Sequence, residues 1–138
     1  MNIKDFLLLA VLLLTVGTAP AQTLRNASGS QIGQIESSGT VRNSSGSSIG
    51  KIESNGTVRN SSGRQLGKIE ADGTVRNASG NRLGKIESDG TVRDEKGNRI
   101  GKVETDGTVR DAKGNRIGTA AGSNRQQIGA VYFFFYFK

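Results

Sequence analysis

The chain contains no cysteine and no histidine among its 138 residues. It therefore has no disulfide, no thiolate or imidazole metal ligand, and no Ser-His or Cys-His relay. Tryptophan is absent as well, and the single proline and single methionine are Pro20 and Met1. Aromatics are scarce: of two Tyr and five Phe, all but Phe6 fall between Tyr132 and Phe137. The one long aliphatic run, Phe6 to Val16, is too short to cross a bilayer as a helix, which takes about 20 residues. What the chain has in quantity is glycine, 20 residues, and basic charge, 19 Lys and Arg against 12 Asp and Glu for a net +7. Such an excess favours an anionic partner without naming one.

The apolar run follows a short polar start with Lys4 and precedes Ala19-Pro20-Ala21, the small-x-small pattern of a secretory cleavage site. This predicts a signal peptide over 1–21 and a mature N-terminus at Gln22. The protein is then exported, to the periplasm, an outer-membrane-associated position or the cell surface. No cysteine follows the run, which excludes a lipid-anchored lipoprotein.

The remainder is periodic. Thr recurs at 23, 40, 57, 74, 91 and 108, a strict spacing of 17, within the unit T-[V/L]-R-[N/D]-x-x-G-x-x-[I/L]-G-x-[I/V]-E-x-x-G. Six units occupy 22–124, the sixth decaying after Ile117-Gly118, and 125–138 stands apart as a seventh, aromatic segment. A fixed period of this length is the mark of a repeat architecture. Three large apolar residues per unit, such as Val92, Ile100 and Val103, fit no amphipathic helix, and Val, Ile and Thr favour extended chain. Glycine-ended three-residue turns at Thr105-Asp106-Gly107 and Ala112-Lys113-Gly114 set Val103 opposite Val109, Arg110 opposite Arg116 and Val109 opposite Ile117. The expectation is an all-β antiparallel meander, with a β-solenoid of one unit per rung as the alternative. Ile100 and Val103, three apart, belong on one face only if a bulge intervenes at Gly101.

The polar positions give one candidate binding surface. The meander aligns Lys85, Arg93 and Arg99, then Lys102, Arg110 and Arg116, as a basic stripe suited to an anionic glycan or other polyanion. Nucleic acid is disfavoured, because the repeats carry no aromatics for base stacking. The competing reading is a solvated face that keeps a sheet soluble. Glu36, Glu53, Glu70, Glu87 and Glu104 repeat identically and lack the asymmetry that paired catalytic carboxylates need. Asp72, Asp89 and Asp106 precede Gly as turn residues, outside the nine-residue calcium pattern. No catalytic, cofactor or metal residue is expected, and the chain is read as a non-enzyme. Asn-x-Ser triplets at Asn26, Asn43, Asn60 and Asn77 are read as turn starters rather than glycosylation sites.

Tyr132, Phe133, Phe134, Phe135, Tyr136 and Phe137 are expected to form a further strand. Half its rings would close the array and half would face outward, for self-association or attachment to a membrane or envelope component. Taken together, the Asp-Gly-Thr-Val-Arg units and the oligo-Phe terminus resemble a group of short exported bacterial repeat proteins of uncharacterised function. That resemblance covers nearly all of 23–138 and implies a cell-envelope protein with no activity. The expected role is a structural or binding element of the envelope, with a polyanion-binding module or a fibre-forming surface protein as alternatives.

Overall fold

A computed structural model describes residues 21–122 and 124–138; the expected signal segment lies outside them, Ala21 excepted. Each repeat is a β-hairpin. The six hairpins are β1 (Gln22–Asn26) with β2 (Gln31–Ile35), β3 (Thr40–Asn43) with β4 (Ser48–Ile52), and β5 (Thr57–Asn60) with β6 (Gln65–Ile69). They continue as β7 (Thr74–Asn77) with β8 (Arg82–Ile86), β9 (Thr91–Asp94) with β10 (Arg99–Val103), and β11 (Thr108–Asp111) with β12 (Arg116–Ala120). Neighbouring strands pair antiparallel in chain order, as a meander does. The last strand returns to the first, with Leu24 opposite Ala120, and closes a twelve-stranded barrel. Closure leaves no sheet edge, the feature that makes open arrays prone to associate.

Two kinds of turn alternate around the rims. Between units, Glu104 N–H donates to the Thr108 carbonyl at 2.8 Å, and Gly107 takes the left-handed φ of 90° that a β-branched residue resists. Within units the Asx side chain starts the turn: Asn43 Oδ1 accepts from Ser45 N and Ser47 N, both at 3.0 Å. The register between units is the expected one, with Val103 opposite Val109 and Lys102 opposite Arg110. Within the hairpin one pairing differs. Arg110 faces Arg116, but Val109 faces Gly118 rather than Ile117, because a bulge at Ile117-Gly118 adds one residue to β12. The same slip recurs at Ile100-Gly101. It turns Ile100 and Val103 to the same core.

Each strand contributes one buried residue to a ring: Leu24 and the five valines from Val41 to Val109 on odd strands, and Ile35, Ile52, Ile69, Ile86, Val103 and Ala120 on even ones. The C-terminal segment corrects the sequence reading. Residues 125–138 form no strand; Arg125–Phe133 is an α-helix, α1, capped by Asn124 Oδ1 accepting from Gln127 N at 3.0 Å. Ile128 to Tyr132 are consecutive and all buried, so every face of the helix is covered along that stretch. Helix and wall form one core cluster, with α1 running into the barrel. An out-of-phase Ile-Gly-x-Val pattern looked like a truncated repeat strand, but a full ring of strands leaves only the lumen to fill. A helix satisfies its own backbone there.

Candidate functional site

The lumen is organised around six glycines. The second strand of each hairpin carries Gly33, Gly50, Gly67, Gly84, Gly101 or Gly118. At each, the space a side chain would need is shared between a backbone carbonyl of the neighbouring strand and one C-terminal ring. A Cβ on Gly33 would lie 2.8 Å from Phe137 Cζ, on Gly67 2.8 Å from Phe135 Cζ, on Gly84 2.6 Å from Phe134 Cζ, and on Gly118 2.8 Å from Tyr132 Cε1. Phe133 fills the notch at Gly101 and Tyr136 the notch at Gly50 more closely still. Six consecutive aromatics thus occupy six consecutive hairpins, one each, in reverse chain order. Side chains of α1 and the turn after it radiate like spokes; neighbouring rings at 135–136 and 136–137 sit 6.5 Å apart and tilted.

The two tyrosines hydrogen-bond to the wall. Tyr132 OH donates to the Arg25 carbonyl at 2.5 Å and is 3.1 Å from the Thr119 carbonyl, bridging β1 and β12. Tyr136 OH donates to the Arg59 carbonyl at 2.5 Å, between β4 and β5. Burial pushes both phenols up to about 12. The expected outward-facing half of an aromatic strand therefore does not form. Tyr132, Phe134 and Phe135 are buried, and Phe133, Tyr136 and Phe137 are partly exposed.

On the outer wall the basic rows line up as expected. Lys85 faces Arg93, which faces Arg99; Lys102 faces Arg110, which faces Arg116. Like charges across a ladder repel, and the central member of each row is compensated. Arg93 Nε donates to Glu87 at 2.5 Å, and Arg110 to Glu104. Arg42–Glu36, Arg59–Glu53 and Arg76–Glu70 repeat the pair at 2.6 Å. Each of these arginines also donates from Nη1 to the glycine carbonyl of its own hairpin turn, as Arg76 does to Gly80 at 3.0 Å. The glutamate ladder is thus a set of five equivalent ion pairs. Among the described residues Lys85, Arg99, Lys102 and Arg116 form no salt bridge, and Arg99 and Arg116 are exposed.

Sequence reasoning found the rows and missed the ring-to-notch pairing. Its signal was available: six uninterrupted aromatics in a chain of six units, each with a glycine at the same position. No curated protein and no solved structure matches the chain. A family model does: that of the 5-fold beta-flower protein covers residues 21–137, and this chain, folded as six hairpins, belongs to that family.

Proposed function

We propose that this small beta-flower repeat protein is an exported, non-enzymatic element of the bacterial cell envelope, acting as a structural or binding disc. One observation carries the reading: the centre of the lumen, where a barrel could hold a substrate, is filled by the chain's own helix and six rings, and the cavity that remains beside the helix lies at the rim. The repeated carboxylates add to it, since each is engaged by an arginine in the same environment and none is set apart for proton transfer. Strands of four or five residues with Lys and Arg outside argue against a membrane-spanning barrel, whose strands need about 9–11 residues. β1 begins at Gln22, the residue that cleavage after Ala21 would expose. The test is fractionation of the native host with intact-mass measurement. Envelope recovery of a chain starting at Gln22 is expected, and a cytoplasmic chain retaining Met1 overturns the proposal.

A second reading, polyanion binding, is favoured by the exposed ends of the basic rows. Dextran sulfate should bind with an affinity that falls with salt and falls again in the Arg99→Gln/Arg116→Gln variant. Affinity indifferent to both removes it.

A further inference from the structure

The six-fold symmetry of the wall is broken inside. Helix α1 leans toward β8 and β10, where Gly129 lies against Ile86 and Arg125 Nη2 donates to the Ser88 carbonyl at 2.7 Å. Over β4 and β6, on the side it leaves, a cavity of about 340 Å³ opens at the rim of the between-unit turns. Its floor is Ile52 and Ile69, 3% and 6% exposed, whereas every other large aliphatic of the wall ring is fully buried. Its sides carry amides: Asn55 from the rim, Gln126 and Gln127 from the helix. Glu53 and Glu70 complete it, each already paired through Oε1 with Arg59 or Arg76. The rim changes here too. Asn55 stands where the next three units have Asp72, Asp89 and Asp106, and Ala71 stands where other units have Ser37, Ser54 and Ser88.

We infer that this cavity binds a neutral sugar residue. Its volume lies at the small end of ligand sites. Sugar hydroxyls can accept from the amides and donate to the compensated carboxylates, while the C–H face of the ring rests on Ile52 and Ile69. An anion would meet Glu53 and Glu70, and a wholly apolar group would use none of the amide N–H donors, Asn55 Oδ1 and Gln127 Oε1 being already taken by Thr57 N and Gln22 Nε2. The inference goes beyond the envelope reading and does not depend on the basic rows. Its test is amide-resolved NMR titration of the full chain with glucose, N-acetylglucosamine and soluble dextran. Saturable shifts confined to Asn55, Ala71, Gln126 and Gln127 are expected, weakened about tenfold by Ala71→Leu, which fills an exposed part of the cavity. Tighter binding of dextran than glucose assigns a glycan, and the reverse a free sugar. No saturable shift with any of the three, or shifts unchanged in both Ala71→Leu and Gln126→Ala, overturns it.

The ring-to-notch pairing carries a second inference independently. We propose that the aromatic tail sets the number of hairpins in the closed barrel, one ring per unit. Excision of 57–73 joins Gly56 to Thr74 in register and removes the Gly67 notch, leaving six rings for five notches. Deleting Phe135 alone leaves five rings for six notches. The double deletion, five hairpins with five rings, should have a higher denaturation midpoint than the 57–73 deletion alone, with β-rich circular dichroism retained. A double deletion no more stable than the 57–73 deletion, or one that does not fold, overturns the proposal.

Discussion

Five junctions between hairpins are alike, and the sixth, where β12 meets β1, is not. At an ordinary junction Val103 faces Val109, Lys102 faces Arg110, and Arg110 reaches Glu104. At the seam Ala120 faces Leu24 and Thr119 faces Arg25, and Ala121 stands where the other units have glutamate. The seam thus loses aliphatic bulk and an ion pair. What closes it comes from outside the repeat: Tyr132 OH on the Arg25 and Thr119 carbonyls, and Gln22 Nε2 donating to Gln127 Oε1 at 2.9 Å. Copies of one unit can lengthen an array indefinitely, so the instruction to close is carried by residues that are not copies.

The largest expected effect is on the notches common to all six junctions. Gly84→Val puts a branched side chain where Phe134 Cζ lies 2.6 Å away and the Arg93 carbonyl lies closer still. Neither ring nor backbone has room to yield, so destabilisation of about 3 kcal/mol in denaturant titration is expected. Gly80→Ala, at a turn where a Cβ meets nothing within 4 Å, isolates the cost of positive φ alone and should be milder. Equal costs would mean that strand and ring together yield to a side chain at Gly84.

Next is the seam's own clasp. Tyr132→Phe removes a buried hydroxyl that serves two carbonyls on the closing strands, and about 1–2 kcal/mol is expected. Tyr136→Phe, at an ordinary junction held also by an ion pair, should cost less. If the order reverses, the seam is not the weaker junction. The same phenols give an alkaline signature. Their folded pKa of about 12 lies above the ordinary value near 10, so the folded state holds these protons more tightly. That stabilisation is complete below pH 10 and declines as pH rises toward 12. Tyr132→Phe should flatten the decline in stability measured across this range.

How much of this was legible beforehand follows from where the information sits. The hairpins, their between-unit register and the Arg–Glu pairs depend on local spacing, and the 17-residue period carries spacing openly. The bulge was anticipated at Gly101, yet its consequence at Val109 was missed, because a strict two-residue alternation was carried through Ile117. Closure was missed because Leu24 and Ala120 lie far apart in the chain and pair without a repeated signal. The tail was misread as a strand because its apolar content is continuous. Continuous burial suits a helix in a lumen as well as a strand in a sheet. Once the lumen exists, six rings facing six glycines have one arrangement.

The smallest effect is also the most direct repair of the difference. Ala121 N–H donates to the Thr23 carbonyl at 2.9 Å, the same bond that Glu104 N–H makes to Thr108 at 2.8 Å. A glutamate at 121 would therefore enter the seam in the backbone position from which Glu104 reaches Arg110. Arg25 already donates from Nη1 to Gly29 as the other arginines do to their turns, and among the described residues it alone of that series has no carboxylate. Ala121→Glu should supply it. The five existing pairs are more than a third exposed, so screening holds the gain to about 0.5 kcal/mol. Added salt should erase most of it, and Arg25→Gln in the same background should erase it in full. A gain that survives Arg25→Gln would mean that the glutamate acts through something other than the missing pair.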